Sequence, residues 1–180
     1  MNIFEYIFPK QCLICSKIGE NVCSNCIKEL SYTLPSCFIC KKLSNRYWTH
    51  KNCLDFDIQC FTGWYLSKNF EYELKKKIEM GIYSTHISLL NILIYHLHLE
   101  DIIENSQIYP IQSKNRDINN LNINLAKSIN TSVKEKEDIL FIGYTIENSN
   151  NLLKNIKGLY TEPSHLRILI LFDSTIPELQ

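Results

Sequence analysis

The chain lacks net charge: its 180 residues carry 19 basic and 19 acidic side chains. A balanced protein casts no global field, so neither nucleic acid nor an anionic membrane is drawn to it from a distance, and any such partner must be met by a local patch. A membrane span is lacking too. The longest apolar stretch, ISLLNILIYHLHL at 87–99, falls short of the roughly 20 residues a spanning helix needs and carries His96 and His98. A buried helix is expected there. No basic residue precedes the apolar MNIFEYIFP, Glu5 interrupts it and Pro9 ends it, so a secretory signal is not expected. A short docking helix and a cytoplasmic location fit better. After Cys60 the chain lacks cysteine altogether, which argues against a disulfide framework spread through the fold.

What is there begins with those cysteines. Cys12 and Cys15, Cys23 and Cys26, and Cys37 and Cys40 each read C-x-x-C, and His50 with Cys53 reads H-x-x-C. Two ligands so spaced can turn onto one ion, and four such pairs make two tetrahedral sites of the kind zinc favours. Disulfides are the competing reading of an even cysteine count. The histidine at the eighth ligand position and the missing secretory signal favour metal. Sites with four protein ligands leave no position open for water, so both zinc ions are expected to be structural. They replace a core that so short a segment could not build. Sequential grouping, with Cys12, Cys15, Cys23 and Cys26 in one site and Cys37, Cys40, His50 and Cys53 in the other, closes the shorter loops and is expected over cross-bracing. Cys60, in the aromatic-rich FDIQCFTGWYL, reads as a core thiol. His86, His96, His98 and His165 show no ligand spacing.

Beyond the cysteines, strand and helix signals alternate. FTGWYL reads as a strand. NFEYELKKKIEMG places Phe70, Leu74 and Ile78 on one helical face, pairs Glu71 with Lys75, and stops at Gly81. Lys75, Lys76 and Lys77 form a local basic run, read as a solvated face with nucleic-acid contact as the sharper alternative. Ser84 is expected to cap a helix running through Leu99. SQIYPI reads as a short strand, and INNLNINLAKSI as a helix with Leu121, Leu125 and Ile129 on one face. In DILFIGYTIENSNNLLKNIKG, a strand at Ile139 to Ile142 enters a polar loop and then a helix marked by Leu152, Leu153 and Ile156. Ile168 to Phe172 closes the series as a strand apolar on both faces. Such strands, alternating with helices, predict an α/β fold with a parallel sheet, and the last two a right-handed βαβ crossover.

Order and wording together resemble the ComF family, proteins tied to DNA uptake in naturally competent bacteria. The resemblance is carried by IFEYIFPKQC running into the first knuckle, by the four knuckles, by NCLDFD after the last ligand, and by YLSKNFEYELKKKIEMG and YPI with NNLNINLAKSI beyond. It implies a double zinc ribbon at residues 1–55 joined to a type I phosphoribosyltransferase-like, Rossmann-like domain at residues 56–180. That family holds the ribose hydroxyls of phosphoribosyl pyrophosphate on two adjacent acids, which fall here on Gly143 and Tyr144. Its 5′-phosphate loop falls on Thr145, Glu147, Asn148 and Ser149, where a carboxylate replaces the glycine that lets backbone approach phosphate. The family's upstream arginine-glycine pair is replaced by Asp117 and Ile118, with Asn120 kept. Only nine residues between Ile129 and Ile139 stand where the family has a flexible hood.

These departures imply a degenerate member that acts by binding, with phosphoribosyl pyrophosphate and magnesium not expected. The resemblance implies single-stranded DNA or a DNA-uptake protein as partner. For DNA, Tyr47 and Trp48 would stack bases while Arg46, Lys41, Lys42, Lys75, Lys76 and Lys77 meet phosphates. Packing against the neighbouring domain is the alternative role for the two aromatics. Two other functions stay open: a divergent active phosphoribosyltransferase drawing acids from Glu147 or Asp173, and a structural adaptor without nucleic-acid contact.

Overall fold

Four short apolar runs of the sequence lie side by side in a computed structural model, which describes residues 9–54, 57–65, 67–130, 138–145, 152–153 and 166–172. In chain order the elements are α1 (Ser24–Glu29), a 3-10 turn (Asn45–Tyr47), β1 (Ile58–Trp64), α2 (Lys68–Glu79), α3 (Ser84–His96), α4 (Glu100–Asn105), β2 (Ser106–Pro110), α5 (Arg116–Ile129), β3 (Asp138–Gly143) and β4 (Leu166–Phe172). The four strands are all parallel, in the order β1-β4-β3-β2. Leu166 of β4 lies between Ile58 and Ile139, and Ile168 between Cys60 and Phe141. The α/β class and the parallel sheet follow the reading of the sequence.

Because side chains alternate along a strand, that register sorts the sheet into two apolar faces. Phe61, Leu140, Ile142, Leu169 and Leu171 share one core with Leu74 of α2, Leu89 and Leu93 of α3, and Leu121 and Leu125 of α5. Ile58, Cys60, Ile139, Phe141, Leu166, Ile168 and Ile170 form the other, with Phe38, Ile111, Leu152 and Leu153. A sheet buried on both faces needs no polar alternation, which is why these strands read as continuous apolar runs. Cys60 is buried as expected.

Local chemistry sets the helix ends. The Ser67 side chain accepts a hydrogen bond from the Phe70 N–H and starts α2. Within α2, Glu71 and Lys75 pair at 2.7 Å and Gly81, at φ +70, follows the end. Ser84 does not cap α3. Tyr83 holds that position with φ −99 and ψ −6, so Ser84 already has helical backbone, whereas a capping side chain needs extended backbone. The helix also ends at His96 and not at Leu99, because His98 turns left-handed at φ +52 and the chain restarts as α4. β1 begins three residues before the expected FTGWYL. The docking helix at the N-terminus, Ile156, His165, the 55/56 domain boundary and the handedness of the β3 to β4 crossover fall outside the described residues.

The cysteine-rich segment does not hang free of the sheet. Trp48 bridges to Gln59, and the Thr49 N–H donates to the Ile58 carbonyl at 2.9 Å. Further along β1, the Thr33 N–H donates to the Gly63 carbonyl at 2.9 Å and the Tyr65 N–H to the Ser31 carbonyl at 3.0 Å. Two short antiparallel stretches therefore cover the outer edge of β1 at both of its ends. The Asn21 side chain also donates to Ser88 Oγ of α3 at 3.1 Å.

Gly63 permits this close packing. A Cβ there would overlap the Leu171 carbonyl oxygen and lie 2.9 Å from Leu93 Cδ2. The carbonyl belongs to the neighbouring strand and cannot swing aside. Gly63→Ala is therefore expected to lower stability by about 3 kcal/mol in urea denaturation. A loss under about 0.5 kcal/mol, the range of a neutral surface change, would show that the approach is looser than described.

Candidate metal centres

The two ligand sets assemble as sequential groups. The Sγ atoms of Cys12, Cys15, Cys23 and Cys26 all lie within 4.8 Å of one another, and so do the ligand atoms of Cys37, Cys40, His50 and Cys53. Around zinc, with bonds near 2.3 Å to sulfur, tetrahedral geometry puts sulfurs roughly 3.8 Å apart. Cys15 and Cys23 have their sulfurs at 3.6 Å, and Cys40 Sγ lies 3.3 Å from His50 Nδ1. Both donor sets fit a tetrahedral thiophilic ion such as zinc. Among the described residues, no other group of histidines, cysteines and carboxylates is gathered in this way.

Each site begins with the same knuckle. Cys12-Leu-Ile-Cys15 and Cys37-Phe-Ile-Cys40 are followed by a residue at φ +60, Ser16 in one and Lys41 in the other. Ser16 N–H bonds the Cys12 carbonyl and Lys41 N–H the Cys37 carbonyl, each at 2.8 Å. The flanking bridges match as well, Gln11 with Ile18 and Ser36 with Leu43. The segment is a tandem repeat shifted by 25 positions, visible in the sequence as CLIC and CFIC though not singled out there. The second pairs differ. Cys23 stands at the N-cap of α1, whereas His50 and Cys53 share a single turn closed by the Cys53 N–H on the His50 carbonyl.

Electrostatics within each group explains the need for a cation. Burial raises the Cys12 thiol, but the backbone N–H groups of Cys15, Cys23 and Ile14 converge on it and bring it down to about 6. Cys37 is likewise raised by burial and lowered, to about 7, by the N–H groups of Cys40, His50 and Ile39. The last thiol of each set behaves oppositely. Burial and the neighbouring sulfurs push Cys26 far up, and Cys53 to about 11. A dication at the centre removes the repulsion that opposes the final ionisations. His50 is oriented for its role: its Nε2 lies 3.0 Å from the Leu43 carbonyl oxygen, which leaves Nδ1 toward the sulfurs.

The second place where α/β proteins hold ligands is the carboxyl end of the sheet. Here that end is filled with rings. Trp64 ends β1, Phe172 ends β4 and Tyr144 follows β3; all three are buried. Phe172 lies 5.4 Å from Tyr144, 6.0 Å from Trp64 and 6.4 Å from Phe70, and His86 meets Tyr144 edge-on at 5.5 Å. The backbone is also engaged. Tyr144 N–H donates to Asn122 Oδ1 and Asn122 Nδ2 to the Ile111 carbonyl, both at 2.8 Å. Gly143 is a packing glycine, since a Cβ on it would come within 2.9 Å of Ile111 Cδ1. Thr145 is half-buried; Glu147, Asn148, Ser149 and Asp173 lie outside the described residues.

At the start of α5, the N–H groups of Asp117 and Ile118 are taken by the Asn115 side chain, at 2.9 and 3.2 Å. Lys75 and Lys76 are exposed on α2 and Lys77 is half-buried, while Arg46 is exposed and Trp48 half-buried on the second metal hairpin. The two basic groups thus sit on different elements. Tyr47 packs on Phe61 of the sheet at 5.4 Å, the neighbour-packing alternative for that ring. His96 stacks on Tyr32 at 3.9 Å and joins no ligand set. No helix among the described residues is long and apolar enough to cross a membrane. No family model, curated protein or solved structure matches the chain.

His86 is fully buried, and neither ring nitrogen has a hydrogen-bond partner among the described residues. Burial, then the charge of Lys77, lowers it to about 4, while in the unfolded chain it titrates near 6.5. The unfolded state therefore takes up a proton first as pH falls, so this contribution to stability is complete above pH 6.5, is lost between about 6.5 and 4, and changes no further below. It is worth on the order of 3 kcal/mol. His86→Leu should flatten that part of the stability–pH curve in chemical denaturation. Equal slopes for variant and wild type across the window would rule it out.

Proposed function

We propose that this protein is a zinc-stabilised, ComF-like binding component with a phosphoribosyltransferase-like α/β domain that no longer performs the transfer. The observation that carries this reading is the aromatic closure of the sheet's carboxyl end by Trp64, Tyr144 and Phe172. A phosphoribosyl donor needs that end open, with acids at the tip of β3 for the ribose hydroxyls. At those two positions stand a glycine packed against Ile111 and a buried tyrosine. The capping of Asp117 and Ile118 by Asn115 supports the same reading, because N–H groups already bound are poor anion donors.

The ligand sets fit zinc, and with four protein ligands each the ions hold the fold and leave no coordination place for substrate. Binding then falls to the surface. Single-stranded DNA is the partner we favour, with Arg46, Lys42 and the exposed lysines of α2 meeting phosphates and the half-buried Trp48 stacking on a base. A protein of the DNA-uptake machinery is the other partner class consistent with the likeness.

The reading is tested on full-length protein by three titrations. Metal analysis should give about two zinc ions per chain, from eight ligands at four per ion. Calorimetry with phosphoribosyl pyrophosphate and magnesium should show no binding. A labelled single-stranded oligonucleotide should bind with an affinity that falls steeply as salt rises. Tight magnesium-dependent binding of the sugar pyrophosphate would replace the proposal with a divergent enzyme. Salt-independent or absent DNA binding would leave the protein partner.

A further inference from the structure

We infer that the two metal positions are unequal: the Cys37, Cys40, His50, Cys53 position exchanges its ion with solution, while the Cys12, Cys15, Cys23, Cys26 position keeps its ion until the whole chain unfolds. This rests on the zinc reading above. The first observation is access. In the all-cysteine set Cys12, Cys23 and Cys26 are 2%, 6% and 5% exposed, and Cys15 alone faces solvent. In the mixed set Cys37 alone is buried, and Cys40, His50 and Cys53 are half-buried. A chelator displaces ligands one at a time from the open side, and it finds one such ligand in the first set and three in the second.

The second observation is what each set is packed into. Cys12, Cys23 and Cys26 belong to the main core beside Phe61, Trp64, Phe70 and Leu89, and their loop is tied to α3 through Asn21 and Ser88. Opening that set means opening the core. The hairpin of the mixed set packs on the smaller core through Phe38, Ile39 and Leu54, and among its described residues only the half-buried Tyr47 reaches the main core. That set can open by lifting the 35–54 hairpin alone, a sub-global event that lies below global unfolding in free energy. The third is the donor class. The mixed set has one neutral imidazole where the other has a fourth thiolate, and so holds a dication with one negative charge fewer.

Lifting that hairpin uncovers a buried reporter. Cys60, 0% exposed, lies in the same buried cluster as Phe38 and belongs to neither ligand set. Loss of the second ion should therefore make four thiols reactive together: Cys37, Cys40, Cys53 and Cys60.

The test treats the zinc-loaded full-length chain with EDTA, follows release with a chromogenic zinc indicator, and maps cysteines alkylated by iodoacetamide at intervals by mass spectrometry. Two steps are expected, the rates separated by at least about tenfold, as sub-global and global opening differ. When half the zinc has gone, those four thiols should be modified and Cys12, Cys23 and Cys26 protected. Cys15, exposed throughout, is not diagnostic. Cys60→Ser should keep both steps and remove one alkylation. Release of both ions in a single step, earlier loss from the all-cysteine set, or a protected Cys60 at half release would overturn the inference while leaving the zinc reading intact. A purified chain that neither holds nor takes up zinc would overturn both.

Discussion

An edge strand presents a row of unpaired N–H and C=O groups, and β1 escapes that exposure at both ends because the cysteine-rich segment folds back along it. Ser31 to Thr33 pair with its carboxyl half and Trp48 to Thr49 with its amino half. Neither stretch is long enough to form a strand by itself. Ser31 to Thr33 lie between Cys26 of one ligand group and Cys37 of the other, and Trp48 to Thr49 run directly into His50 of the second. Metal chemistry, the edge of the sheet and both apolar cores are thus one system. The ligands Cys12, Cys23 and Cys26 count among the buried residues of the main core, and Phe38, inside the second knuckle, among those of the smaller one.

The carboxyl end of the sheet is given over to packing in the same way. The parallel sheet keeps the crossover architecture in which ligands are held at the carboxyl ends of strands, but the available volume is spent on ring packing. Asn122 shows the substitution at the level of single hydrogen bonds. It joins the end of β3 to the stretch after β2, satisfying a backbone N–H and a carbonyl that a ligand or water would otherwise meet. The buried polar atoms of His86, Tyr144, Thr85 and Trp64 without partners among the described residues mark the cost of burying side chains that keep polar tips.

How legible this was in the sequence depends on the range of the interaction. Ligand spacing is a local pattern, so it picked out the eight side chains that the structure gathers, and the shorter loops of sequential grouping anticipated the two sets of four. Apolar runs without alternation placed the strands, and helical spacing at Phe70, Leu74 and Ile78, or Leu121, Leu125 and Ile129, placed the two amphipathic helices. The cover on β1 was invisible, because backbone pairing between Thr33 and Gly63 or Thr49 and Ile58 leaves no periodic trace in side-chain type. The aromatic closure was equally hidden. Tyr144 is buried by contacts with His86 and Phe172, residues distant from it in sequence, and nothing in its neighbourhood announces them. Ser84 misled because a serine at the head of an apolar run caps a helix only where its own backbone is extended.

The repeat also has slack in one place. Its first knuckles are 25 positions apart, but Cys23 and His50 are 27 apart, so the second hairpin has two residues more between its ligand pairs. That surplus is taken up at Arg46 and Tyr47, consecutive non-glycine residues at φ +48 and +66, pinned by Gln59 on the Arg46 carbonyl. Left-handed backbone costs such residues roughly 1–2 kcal/mol each, so this corner stores strain that a longer or glycine-bearing turn would relieve. The 45–47 corner is therefore where the two hairpins part company: the extra length of the second is spent in strained backbone so that Trp48 and Thr49 still arrive in register with β1.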